Sequence, residues 1–314
     1  MRYLVNTSTD AWFNMAFDEF VLESVCADEP VFYLWQNAPA VIIGLNQSPY
    51  AEVNLPYLDS HGIKLARRVT GGGAVYHDFG NLNYSIVGPS KRMENASGII
   101  PAALRQLGAQ AERSGRNDIF IGGRKCSGFA KRLSRNRMMI HGTLMWDVDI
   151  EVLTDALQAP GSKVSAAGVE SVRSRVANLG DFLPRFGGIN DFRSALHDIL
   201  ADGDGEYTLS AGEIKAVETL EREKFSTWEW IYGHSPATTH VSVRKFSCGT
   251  VEARYTLRHG IFTALEFAGD FIGDRPAAEL ADALLGKRPS DIASAPAGDY
   301  FDGLTGSDLA PLFL

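Results

Sequence analysis

Cysteine is scarce in this 314-residue chain: only Cys26, Cys126 and Cys248 occur, an odd number, widely spaced and without a CxxC pair. That scarcity argues against a disulfide framework or a cysteine-based zinc site, and it fits a reducing compartment. Long apolar runs are missing as well. No uninterrupted stretch approaches the ~20 residues a membrane helix requires, so no membrane association is expected. The opening residues, MRYLVNTSTDAW, lack the charged-then-apolar layout of a secretory signal, which makes the cytoplasm the expected location. Positive charge is in deficit, with a formal net charge of −8 and a pI near 5.4. A nucleic-acid footprint needs a basic surface, so no nucleic-acid partner is expected. Internal repeats and low-complexity tracts are absent too. What is present is an ordinary globular composition, 45% hydrophobic and 22% charged, in a chain long enough to bury a core unaided.

Near the start, Thr9 and Asp10 can cap a helix in which Trp12, Phe13, Ala16, Phe17, Phe20 and Val21 recur at helical spacing. Asp18 and Glu19 lie inside it and read as solvated. Short β-rich runs follow at 31–35, 40–45 and 63–69, and after a glycine cluster at 74–77 and 83–87. Next come a predicted helix at 99–107, strands at 119–121 and 125–129 around the turn Gly122-Gly123-Arg124, and a strand at 138–145 behind Ser134-Arg135-Asn136. Helices are predicted at 149–157, 192–200 and 211–224. From about His240 the pattern alternates, giving strands at 241–246, 251–257 and 261–267, a turn at Arg258-His259-Gly260, and a helix at 276–285. Strand meanders with separate helices indicate an α+β fold, not a regular βαβ alternation. The expected division is a larger domain over 1–236 and a small α+β domain over 237–314.

The segment Arg67-Arg68-Val69-Thr70-Gly71-Gly72-Gly73-Ala74-Val75-Tyr76-His77-Asp78 carries three consecutive glycines, which cost backbone entropy. They serve either a tight turn or the approach of backbone N–H groups to an anion, and the two arginines favour the anion. This is neither a Walker A loop nor a dinucleotide fingerprint: no Gly-Lys-Ser/Thr follows, and GxGxxG spacing fails at Tyr76. His77 and Asp78, adjacent on a strand, face opposite ways and read as loop-shaping residues, not a dyad. In a second segment, Asn117-Asp118 precedes Gly123-Arg124-Lys125-Cys126-Ser127-Gly128; here small residues let a ligand approach the strand that carries Lys125. A third, His141-Gly142-Thr143-Leu144, places a site-lining histidine of open role. In a fourth, Arg173 and Arg175 alternate with apolar residues, as in an exposed edge or a basic loop that closes over phosphates.

In this order, RRVTGGGAVYHDFGN, GRNDI, GRKCSGFA, HGTL and SVRSRVANL resemble the signatures of the lipoate–protein ligase A family. WFNMAFDE, YLWQNAPAVIIG, Trp228-Glu229-Trp230 and FSCGTVE at 246–252 extend the resemblance over nearly the whole chain. It implies a catalytic domain of biotin/lipoate-ligase type, with a mixed or antiparallel sheet, and an accessory C-terminal domain. It further implies that lipoate and ATP, with Mg2+ whose ligands are unassigned, give lipoyl-AMP, which then acylates a lysine. The implied acceptors are lipoyl domains of 2-oxoacid dehydrogenase E2 subunits and the glycine cleavage H protein. By position, Lys125 matches the essential lysine that contacts carboxylate and phosphate. Arg68, Gly73, Ala74, Val75, Tyr76, Asn117 and Asp118 match the ATP and adenylate side. Arg68, Thr70, Gly71, Gly72, Gly73, Lys125 and His141 match the lipoate side. The stretch from Lys163 to Asn178 resembles the adenylate-binding loop. Leu45 and Ala167 depart from the pattern, since many members place basic residues there.

The implied chemistry suits these residue types. A carboxylate attacking the α-phosphate brings two anions together, and cationic groups offset the repulsion and the growing charge. Lys125 is a compact point charge and Arg68 a planar fork. The adenylate is itself a good leaving group, so no enzyme nucleophile is needed. The principal alternative is an octanoyl or lipoyl transferase of the same fold with Cys126 as nucleophile, although that side chain should face away from Lys125. A non-catalytic binder and a biotin ligase complete the alternatives. Lys131, Arg132, Arg135 and Arg137 form a basic hairpin, read either as a solvated turn or as a dock for an acidic carrier domain.

Overall fold

The computed structural model describes residues 1–25, 28–47, 49–115, 117–157, 175–201, 205–233, 240–258 and 261–313. Its centre is an eight-stranded mixed sheet in the order β11-β1-β2-β6-β10-β9-β8-β7. The strands are β1 (Arg2–Leu4), β2 (Val31–Trp35), β6 (Asn81–Pro89), β7 (Ala111–Ser114), β8 (Asp118–Ile121), β9 (Arg124–Ser134), β10 (Arg137–Met145) and β11 (Glu206–Tyr207). β1 runs parallel to β2 and β11, and the remaining neighbours are antiparallel. A second, three-stranded sheet has the order β4-β3-β5, from β3 (Ala40–Ile43), β4 (Lys64–Arg67) and β5 (Val75–His77). The mixed sheets with segregated helices are the α+β architecture expected.

Both faces of the large sheet are covered, so its central strands are apolar on both sides. In β2, Phe32 and Leu34 join one core with Leu82, Ile86, Ile140, Leu104 and Phe192. Val31, Tyr33 and Trp35 join the opposite core with Met15, Phe17, Val21, Val217 and Phe225. The first core is roofed by the helices Ile99–Gln106 and Ile189–Leu200, the second by helix α1 (Ala11–Ser24) and the helix Ala211–Leu220. Asp10 caps α1 by accepting from the N–H groups of Trp12 and Phe13.

One expectation for α1 fails. Asp18, read as solvated, is 1% exposed. The helix is packed on more than one side: Ala11, Asn14, Met15, Asp18 and Leu22 are buried along with Ala16, Phe17 and Val21, while Trp12, Phe13 and Phe20 are half-buried. Glu19 is not solvated either; Lys224 binds it at 2.7 Å, with the Glu19 side chain 14% exposed.

At the C-terminal end, β12 (His240–Phe246), β13 (Gly249–Arg258) and β14 (Ile261–Gly269) form an antiparallel sheet with its own core of Val251, Phe262, Phe267, Phe271, Leu280 and Phe301. The expected turn residues His259 and Gly260 lie outside the described residues. This unit is joined to the body by Gly72 N–H to Phe271 O (2.9 Å), Gly269 N–H to Asn46 O (2.7 Å) and Leu133 N–H to Asp274 O (2.9 Å). Of the basic hairpin, Lys131 belongs to the same seam, while Arg132 and Arg137 bond within the body. Lys131 pairs with Asp274 at 2.9 Å and Asp302 at 3.5 Å, Arg132 donates to Val69 O at 2.7 Å, and Arg137 donates to Val21 O at 2.8 Å. A solvated turn does not describe these three side chains. They tie β9 and β10 to their surroundings.

Candidate active site

A cleft lies between the α1 face of the large sheet and the β4-β3-β5 sheet, lined among others by Arg68, Gly73, Asn117, Lys125, Gly128 and His141. Its open end is built around Lys125. The Lys125 ammonium pairs with Asp118 Oδ1 at 2.8 Å, and the two side chains are 40% and 30% exposed. The backbone beneath it is held on both edges. Lys125 pairs with Phe120 in β8, donates its N–H to Arg175 O (2.8 Å) and accepts from Ala177 N–H (2.9 Å). Gly128 makes room for the lysine, since a Cβ there would stand 3.1 Å from Lys125 Nζ. Asn117 fixes the adjoining turn by donating to Phe129 O at 3.0 Å.

The inner end is buried and polar. His141 Nδ1 lies 2.6 Å from Asp18 Oδ2, a carboxylate that only accepts, so this nitrogen carries the proton. Nε2 is then free to accept the Thr70 hydroxyl at 2.7 Å, and Thr70 Oγ1 in turn accepts from Arg68 Nε at 3.0 Å. Asp18 Oδ1 also accepts from the Tyr33 hydroxyl at 2.5 Å and the Ser85 hydroxyl at 2.9 Å. Burial, reinforced by the Asp18 charge, raises Tyr33 well above the usual phenol range and keeps it a donor.

Arg68 is not a fork held open for a ligand. It donates to Gly71 O (2.7 Å), Gly73 O (2.8 Å) and Ile42 O (3.1 Å), and so shapes the glycine loop. Burial, with the neighbouring Arg67 charge, lowers it to about 10, which leaves it protonated at neutral pH. Arg67 is 1% exposed and spans the carbonyls of Gly44, Leu45, Gln47, Trp230 and Ile231. The glycines themselves answer partly to packing. Gly72 sits at φ +91, and a Cβ at Gly71 would meet Phe271 O at 2.7 Å.

The description "Lipoyl protein ligase A/B catalytic domain" matches residues 10–201, and "Bacterial lipoate protein ligase C-terminus" matches 235–310. Lipoate–protein ligase 1 of Staphylococcus aureus is 37% identical over 294 residues, 91% of this chain and 90% of that protein. The chain belongs to the lipoyl protein ligase A/B family. Among solved ligases, a bipartite lipoate protein ligase of Thermoplasma acidophilum, studied with its E2 lipoyl domain, aligns with a TM-score of 0.67 at 30% identity, over 76% of this chain and 98% of that one. A lipoate–protein ligase A bound with ATP aligns with a TM-score of 0.63 at 30% identity, over 73% and 97%.

Within this ligase fold, Arg68, Gly72, Gly73, Ala74, Val75, Asn117, Lys125 and His141 all line the cleft. Thr70, Gly71 and Asp118 stand behind it, bonded to His141, Arg68 and Lys125 respectively. The Tyr76 ring does not reach the cleft; it packs on the other side of β5 with Val41, Ile43 and Met145. Arg116, Arg173, Lys163 and Ala167 lie outside the described residues, whereas Asn178 is placed, bonded to Val148 through both amide atoms. Asp78 shapes the loop as expected, accepting from the N–H of Gly80 and of Asp149, whereas His77, which meets Asn37, also lines the cleft, a place the sequence reading did not give it. Sequence reasoning missed Asp18, Trp35, Met15 and Asn83. The signal for Asp18 was available, because a helix apolar on several faces leaves no wet side for a carboxylate.

Proposed function

We propose that this chain is an ATP-dependent lipoate–protein ligase. Lys125, held by Asp118 at the open end of a cleft whose inner walls are buried, is the observation that carries this reading. The lipoate carboxylate attacks the α-phosphorus, pyrophosphate leaves, and the Lys125 ammonium offsets the charge that builds between the two anions. The acceptor amine then attacks the acyl carbon, AMP leaves, and the same ammonium stabilises the acyl oxygen. Arg68, Thr70, Gly71, Gly72, Gly73 and His141 frame the acid. Gly73, Ala74, Val75, Tyr76, Asn117 and Asp118 frame the nucleotide, with Tyr76 acting through its backbone, because β5 is an edge strand whose outer N–H and C=O groups face no further strand.

Among the described residues no three His, Cys, Asp or Glu side chains cluster as a metal site. Mg2+ would accompany the ATP, as an ion that keeps much of its water and needs few protein groups, and its ligands here are unassigned. Residues 1–236 would carry the chemistry and 237–314 the accessory role. The acceptors would be E2 lipoyl domains and the H protein, and the location the cytoplasm, in keeping with a free thiol at Cys126. The transferase alternative loses its nucleophile, for Cys126 is fully buried and burial pushes its thiol up to about 12. Lipoate-dependent exchange of labelled pyrophosphate into ATP tests the proposal; no exchange with MgATP and lipoate present would refute it.

A further inference from the structure

The inner end of the cleft holds an N–H group without a partner, on His77. The ring is 3% exposed and lines the cleft beside Trp35 and Asn83. Its tautomer follows from a chain of amides anchored on backbone groups. Asn14 Nδ2 shares its two hydrogens among the carbonyls of Ser8 and Gln36 and Asn37 Oδ1 (2.8 Å), and, being unable to accept, it requires the oxygen of Asn37 on that side. Asn37 must then turn its Nδ2 toward His77 Nδ1, at 3.1 Å, and that nitrogen accepts. The proton is on Nε2, which is buried and has no hydrogen-bond partner among the described residues. Burial first, and the Arg68 charge after it, lower His77 to about 3, so the ring is neutral. Asn83, 1% exposed, likewise leaves its Nδ2 unpartnered on the same wall.

Resting on the ligase reading, we propose that His77, assisted by Asn83, is a specificity-determining residue that donates a hydrogen bond to the dithiolane sulfur of lipoate and selects it over saturated acids. The direction of the ligand follows from burial. Its carboxylate is held at the exposed Lys125 end, so its far end reaches the closed wall of Met15, Trp35, Ile42 and His77, all 3% exposed or less. A methylene chain end arriving there strips water from Nε2–H and returns nothing, and a buried unpaired donor is costly. A ring sulfur is a weak acceptor, but it answers that donor.

The test uses the full-length protein and compares kcat/KM for acyl-adenylate formation from lipoate, octanoate and 5-cyclopentylpentanoate, which has the ring shape without sulfur. Wild type is expected to favour lipoate over the cyclopentyl acid by about fivefold, the value of a typical net hydrogen bond. His77→Asn keeps an acceptor for Asn37 but removes the distal donor, and should erase that ratio mainly through the KM for the acid. His77→Gln, which returns an N–H near the Nε2 position, should restore much of it. Equal wild-type values for lipoate and the cyclopentyl acid would overturn the inference even if neither variant folds. So would an unchanged ratio in folded His77→Asn, or a change confined to the KM for ATP. Failure of wild type to activate any of the acids would instead refute the ligase reading.

Discussion

Removing the Asp18 carboxylate should cost as much stability as emptying a core position of α1. Its two oxygens accept from the Tyr33 hydroxyl (2.5 Å), the Ser85 hydroxyl (2.9 Å) and His141 Nδ1 (2.6 Å), all of them buried. Asp18→Ala strands three donors, each costing about 1–3 kcal/mol once unpaired, for a total of roughly 3–6 kcal/mol after non-additivity. Asp18→Asn keeps an oxygen for Tyr33 and Ser85. It turns an amide toward His141, so the histidine proton must move to Nε2 and the Thr70 hydroxyl must find another acceptor; about 1–2 kcal/mol is expected. Urea unfolding followed by tryptophan fluorescence reads this cleanly. Trp12, Trp35, Trp146, Trp228 and Trp230 all precede residue 237, and Trp35 donates to Ser85 at 3.0 Å within the same network. If Asp18→Ala lowers stability by less than about 1 kcal/mol, solvent reaches the carboxylate and the network reasoning is wrong.

Replacing Cys126 by alanine should leave lipoate-dependent pyrophosphate exchange within twofold of wild type, roughly the scatter of a distant core change; loss of activity in a folded variant would revive the transferase reading. Acid should destabilise the protein through His77, because its folded value of about 3 lies below the unfolded value and the unfolded chain takes up the proton first. Stability is therefore lost as pH falls from about 6.5 toward 3, at up to about 1.4 kcal/mol per unit. In His77→Asn the loss between pH 6.5 and 5 should shrink by about 2 kcal/mol, which urea midpoints at the two pH values would show. Lys131→Met removes the pairs to Asp274 and Asp302, and about 1 kcal/mol should go from the seam between the two units. Faster hydrogen exchange at the Leu133 amide, bonded to Asp274 O, would register it.

Much of the site was legible because its logic is local. The glycine loop, the small residues around Lys125 and the outward face of the lysine opposite Cys126 follow from short-range backbone rules, and the structure has them so. Other elements depended on partners far along the chain. The core strands β2, β6 and β10 are long and apolar enough to declare themselves, whereas β1 and β11, of three and two residues, are too short for any pattern. Asp18 looked like a surface charge because nothing near it in sequence announces Tyr33, Ser85 and His141. Lys131 and Arg132 looked like a basic surface because Asp274, Asp302 and the Val69 carbonyl lie so far away. The crowding that Gly71 relieves comes from Phe271, two hundred positions downstream. Tyr76 was grouped with its neighbours in the motif, yet strand alternation turns its ring into the opposite core.

Mass spectrometry reads the role of Lys125 at both steps. Purified protein is incubated with lipoate, ATP and magnesium, then with a lipoyl domain, and both products are weighed. The account predicts lipoyl-AMP in the first stage and a singly lipoylated domain in the second, both absent when Lys125 is replaced by alanine in a folded protein. Lipoyl transfer that persists undiminished without Lys125, or that proceeds from an acyl-carrier donor with no need of ATP, would contradict it.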